Sequence, residues 1–104
     1  MTHTARKVVI ITEKVIAEGV SKIIEECGGT GYTITPAGGK GSRGVRSQGE
    51  SSIGDTFSNI KIEVIAGTTE KAKMIAEKVA EQYFENYSGI AYLEDVEILR
   101  PQKF

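Results

Sequence analysis

Read for the alternation of apolar and polar positions, the chain divides into six patterned segments and one long interruption. The run Val8, Val9, Ile10 and Ile11, inside 7–12, is β-branched throughout and suits a strand buried on both faces. From Glu13 to Cys27 the apolar residues Ile16, Val20, Ile23, Ile24 and Cys27 recur three and four positions apart. Lys14, Glu18, Lys22, Glu25 and Glu26 fall largely between them, so the segment predicts an amphipathic helix with Thr12 as its cap. Gly28 and Gly29 stop that helix, and Tyr32 and Ile34, alternating with Thr33 and Thr35, predict a second strand ending at Pro36.

After Pro36 the pattern collapses. Ala37 to Thr56 holds six glycines, four serines, three cations and only two large aliphatic residues, Val45 and Ile53, so it can bury little and is expected to be a long loop. Loops of this length inside a compact domain are usually functional or disordered. Strand character returns from Phe57 to Ile65, where Ile60, Ile62 and Val64 alternate with Asn59, Lys61 and Glu63. Ala72, Ile75, Ala76, Val79, Ala80, Tyr83 and Phe84 mark a second amphipathic helix over Thr69 to Tyr87, and Ile90 to Leu99 predicts a last strand.

Strand, helix, strand, long loop, strand, helix, strand is the split βαβ plan of a ferredoxin-like α+β domain, βαββαβ. At 104 residues the chain fits one domain, 1–104, with the long loop at about 37–56. Two helices can cover only one face of the sheet. The first and last strands carry apolar residues at both parities, so the second face is expected to be covered by other subunits.

Composition narrows the classes. Thirteen Lys and Arg against fourteen Asp and Glu give a formal net charge of −1, which provides no overall attraction to nucleic acid or anionic lipid. The single cysteine, Cys27, cannot form an internal disulfide, and with one histidine, His3, no cluster has the spacing of a zinc site. The polar start of the chain is followed by only four or five apolar residues, too few for a signal-peptide core or a membrane span, so a cytosolic protein is expected. An RNA binder of this fold would put aromatic residues on its central strands, where Val9, Ile11, Ile62 and Val64 stand instead.

The candidate chemistry lies in Gly38-Gly39-Lys40-Gly41-Ser42-Arg43-Gly44-Val45-Arg46-Ser47. Glycines let backbone amides converge on an anion, Ser42 and Ser47 add hydroxyl donors, and Lys40, Arg43 and Arg46 add charge, the arginines with a fork that can hold two phosphate oxygens. Gly39 to Gly44 satisfies GxGxxG, but no helical periodicity follows, so a dinucleotide fold is rejected. A P-loop fails because Gly41 follows Lys40 and Ile34 stands at the first glycine position. The competing reading is a flexible surface loop that is basic by composition. Ordering such a loop costs roughly 1–2 kcal/mol per residue, whereas a charged hydrogen bond to phosphate returns roughly 1.5–3. An anion could therefore close the Lys40 to Arg46 part while the tip, Ser47 to Gly54, stays open to a second partner.

Other residues carry less. No serine or cysteine has an evident base partner, and Cys27 lies on an apolar helix face. Tyr83, Phe84 and Tyr87 are expected to pack, and the sequon Asn86-Tyr87-Ser88 to be incidental. Glu13, Glu50 and Asp55 could hold magnesium beside a phosphate, although surface charge is the commoner explanation. A phosphate-handling enzyme, with Glu13 or Glu50 activating water, is the rival from another class, but no histidine or paired acids support fast turnover.

Over nearly its full length the sequence resembles the SbtB type of PII-like signalling protein. The resemblance rests on Thr12-Glu13-Lys14-Val15, Gly31-Tyr32-Thr33, Gly38-Gly39-Lys40-Gly41-Ser42-Arg43 with Val45-Arg46-Ser47, and Ser58-Asn59. It implies a homotrimer in which the long loop is the signalling T-loop and adenine nucleotides (cyclic AMP, AMP, ADP, ATP, the last with magnesium) occupy the clefts between subunits. Lys40, Gly41, Ser42, Arg43 and Arg46 would hold the phosphates, and Asn59, Gly89 and Ile90 would lie near the base or ribose. The loop would dock on the cytoplasmic face of a sodium-dependent bicarbonate transporter at the inner membrane, the alternative being a PII-type regulator with the same fold and loop and another membrane or enzyme partner. Slow hydrolysis of ATP or ADP would act as a timer on the signal rather than as metabolic turnover. Many members also carry a C-terminal hairpin with two cysteines, which is not in this sequence as it ends at Phe104.

Overall fold

The computed structural model of the protein describes residues 1–41, 44–45 and 58–100. Strand β1 runs from His3 to Glu13, passes through a 3-10 turn at Lys14–Ile16, and leads into helix α1, Ala17–Glu26. Strand β2, Thr33–Ala37, precedes a ribbon of two short strands, β3 (Lys40–Gly41) and β4 (Gly44–Val45). After them come β5 (Asn59–Ala66), α2 (Thr69–Tyr83) and β6 (Gly89–Ile98). Strands β2, β5, β1 and β6 form an antiparallel sheet in that order, with β1 paired on both sides. This is the ferredoxin-like α+β plan.

The pleat sorts the side chains into two faces. Val8 and Ile10 of β1 and Ile60, Ile62 and Val64 of β5 point to the helices and form one core with Val20, Ile23 and Ile24 of α1 and Ala72, Ile75 and Val79 of α2. Fully burying a side chain such as Ile62 contributes about 1.5–3 kcal/mol. Tyr83, Phe84 and Tyr87 pack against this core as their spacing suggests, the two tyrosines edge to face with centroids 6.1 Å apart, whereas Ala80 is exposed.

The opposite face shows the other parity. Ile11 pairs with Ile90 and Val9 with Tyr92; Ile90 and Tyr92 remain 50% and 37% exposed, while Val9 is buried between its strand neighbours. Farther along the same face Lys7 lies 3.3 Å from Glu63 and 3.4 Å from Glu94, and Lys61 lies 3.6 Å from Glu63.

Local chemistry sets the helix ends. α1 closes in a Schellman turn: Gly28, at φ +90, donates its N–H to Glu25, and Gly29 donates to Ile24. Gly28 is needed there because side chains rarely tolerate that φ. Thr68 caps α2 by accepting from the Lys71 N–H at 3.1 Å.

Several expectations are corrected. Thr12 does not cap the first helix; it is the fully buried penultimate residue of β1, on the same parity as Val8 and Ile10. The first turn after β1 is 3-10, and neither Glu13 nor Ile16, the residues at the two N-cap positions, makes a side-chain capping bond. β2 continues through Pro36 to Ala37, as it can because it is an edge strand. The second helix ends at Tyr83, four residues before the expected Tyr87.

Candidate functional site

β1 ends where its two neighbours begin. Thr12 is paired with Gly89 at the start of β6, Glu13 with Asn59 at the start of β5, and Asn59 in turn with Ala37 at the end of β2. Antiparallel pairing therefore gathers four chain segments at one end of the sheet. From Ala37 to Gly89 is three inter-strand spacings, about 14 Å. Lys40 follows Ala37 by three residues, so it lies within about 10 Å of chain from that end.

The segment Thr12-Glu13-Lys14 binds its neighbours by three hydrogen bonds, each 2.7 Å long. The Thr12 hydroxyl donates to the Ser88 carbonyl, the Ser88 N–H donates to Glu13 Oε2, and the Lys14 N–H donates to the Ser58 carbonyl. Asn59 is buried, and its Oδ1 has no partner among the described residues. A buried carbonyl oxygen left without a donor costs roughly 1–3 kcal/mol. Gly89 is packed so closely on the Phe84 ring that a side chain there would overlap it. Ile90, half exposed, stands beside Ile11 on the helix-free face.

Of the residues singled out in the sequence, Asn59, Gly89 and Ile90 converge at this end. Lys40 and Gly41 are placed by their backbone, paired with Val45 and Gly44 respectively. Ser42, Arg43 and Arg46 lie outside the described residues, as do Glu50 and Asp55. Glu13, considered above as a magnesium ligand or a surface charge, accepts a hydrogen bond from the Ser88 backbone amide through Oε2. Sequence reasoning missed the roles of Thr12 and Ser88. The parity Val8, Ile10, Thr12 held a signal, because a hydroxyl at an inward strand position needs a partner.

Among the described residues the shifted ionisations lie away from this end. The hydrogen bond to Glu63 raises the pKa of Lys7 against the opposing effect of desolvation, with Glu94 adding to it. The same bond from Lys7 lowers Glu63, again against desolvation.

A family model described as nitrogen regulatory protein P-II matches residues 5–103. The chain belongs to the PII family. A PII-like signalling protein of Thermus thermophilus is 33% identical, covers 99% of this chain and 97% of its own, and superposes with a TM-score of 0.80. CPII of Thiomonas intermedia, a nitrogen regulatory PII-like protein, is 28% identical in two structures. The one bound to ADP, AMP and bicarbonate covers 100% of this chain and 96% of its own with a TM-score of 0.83. The one bound to ADP and bicarbonate covers 100% and 97% with a TM-score of 0.84. The likeness to PII-like signalling proteins thus spans the whole chain, and the connection between β2 and β5 stands where PII proteins carry the T-loop. Among the described residues of this PII protein, no helix is long and apolar enough to cross a membrane.

Proposed function

We propose that this PII-like signalling protein is an adenine-nucleotide sensor of the SbtB type. It is a single-domain homotrimer that binds cyclic AMP, AMP, ADP or ATP in the clefts between subunits and signals through a T-loop at about 37–56. The observation that carries the reading is the convergence, at one end of the sheet, of Asn59, Gly89, Ile90 and the root of the loop bearing Lys40 and Gly41. Lys40, Gly41, Ser42, Arg43 and Arg46 take the phosphates. Asn59, Gly89 and Ile90 take the base or ribose, with Asn59 Oδ1, which has no partner among the described residues, accepting from an amino or hydroxyl group. The apolar strip of Val9, Ile11, Ile90 and Tyr92 supplies the surface against which subunits pack.

In this reading the protein works in the cytoplasm and docks its T-loop on a sodium-dependent bicarbonate transporter at the inner membrane. A nucleotide can control that docking only by binding the two loop states with different affinity. Slow hydrolysis of bound ATP or ADP would act as a timer on the signal. Support for the ligand class comes from CPII, structures of which hold ADP and AMP, and support for a link to inorganic carbon comes from the bicarbonate that the same structures hold.

Calorimetric titration of the purified protein with cyclic AMP, AMP, ADP and ATP, each with and without bicarbonate, followed by product analysis, tests the proposal. Saturable binding with slow or absent turnover is expected. No binding of any of the four would end the sensor reading, and rapid product formation would move the protein to the enzymes.

A further inference from the structure

The three short hydrogen bonds at the end of β1 have an order that ordinary sheet pairing does not require. Gly89, opposite Thr12, is the first residue of β6, so the peptide groups of Ser88, just before it, fall outside the ladder. Ser88 is nevertheless buried, and both of its backbone polar groups are taken by side chains: its carbonyl by Thr12 Oγ1 and its N–H by Glu13 Oε2. Consecutive strand residues point to opposite faces, so these two side chains grip one residue from both sides of the sheet. The following N–H, that of Lys14 in the Glu13–Lys14 peptide, holds the Ser58 carbonyl immediately before Asn59. The Glu13 carboxylate thus holds the residue before β6, and the next backbone amide, that of Lys14, holds the residue before β5.

We infer that Glu13 is a positioning residue for the nucleotide site: it fixes the Ser88–Gly89 backbone where the base or ribose would meet it, and joins that segment to the T-loop root at Ser58. This role rests on the sensor reading above. Glu13 acts here as a hydrogen-bond acceptor for the main chain, and a neutral acceptor of the same length can replace it. Because Ser88 and Ser58 are anchored to adjacent groups, a ligand that orders Ser88–Gly89 also orders the first residues of β5.

The test compares Glu13→Gln with Glu13→Ala in the full chain, using ADP as probe. Gln keeps an oxygen that can accept from Ser88, and Ala removes it. ADP affinity is read by calorimetry, and the Ser88 and Lys14 amides are read by hydrogen exchange with and without ADP. E13A is expected to weaken ADP at least fivefold, to speed Ser88 exchange, and to lose the slowing of Lys14 exchange that ADP brings to the wild type. E13Q is expected to stay within about twofold of wild type in all three. Equal ADP affinity in E13A and wild type overturns the role of Glu13 alone, and an E13Q as weak as E13A overturns the backbone-acceptor mechanism. A wild-type protein that takes up no adenine nucleotide overturns the sensor reading and this role with it.

Discussion

The ring of Phe84, just past the end of α2, occupies the space that a side chain on Gly89 would need, so the first residue of β6 is locked against the helix by the absence of a Cβ. The same glycine faces Thr12 across the sheet, at the end where the candidate site is built. Gly89→Ala should destabilise the protein by about 1–3 kcal/mol through overpacking, measured by denaturant unfolding. Combining it with Phe84→Leu should recover part of that loss, and additive losses would show that the ring is not what excludes a side chain.

The ion pair between Lys7 and Glu63 predicts a pH window. Lys7 is raised from its ordinary value of 10.5, so its contribution is complete below that value and is lost as pH rises through the folded pKa. Glu63 is lowered from 4.5, so its contribution is present above that value and is lost as pH falls through the folded pKa. The difference in melting temperature between wild type and Lys7→Met should therefore be steady between these limits and shrink beyond both. A difference that does not vary with pH would mean that Lys7 acts through the packing of its stem.

Tyr92 pairs with the buried Val9 in the middle of the helix-free face and is still 37% exposed in the single chain. If subunits meet on this face, Tyr92→Glu buries an unpaired charge at the interface and should shift the trimer toward monomer. Light scattering on the eluting protein reads the mass, and circular dichroism should show the fold retained. A variant that remains trimeric would place the interface elsewhere.

Arg46→Ala should weaken phosphate-bearing nucleotides by about 1.5–3 kcal/mol, the usual range for a charged hydrogen bond, while leaving the unfolding midpoint in place. Titration with ADP checks it. Unchanged affinity would remove Arg46 from the phosphate site.

Much of the fold was legible because each element carries its own period. Ile60, Ile62 and Val64 alternate and do lie on one face; Val20, Ile23 and Ile24 recur at helical spacing and do reach one core. The ends were less legible, since they depend on partners distant in the chain. Thr12 has the chemistry of a helix cap and stands just before a helical pattern, yet its hydroxyl is held by Ser88, 76 positions away. Pro36 suggested a strand end, but its missing N–H matters only if an outer strand needs it, and β2 is an edge.

By itself the sequence determined the periodicities, the glycine that closes α1, the glycine-rich basic loop and the resemblance its motifs carry. These follow from short-range sterics and from the residue types that can approach an anion. Only the tertiary structure decided that Glu13 serves a backbone amide, that Asn59 is buried with an oxygen that has no partner among the described residues, and that Ala37, Asn59, Glu13 and Gly89 meet at one end of the sheet. Strand register decides those neighbours, and register comes from the burial of whole faces against the helices, which no local stretch of sequence contains.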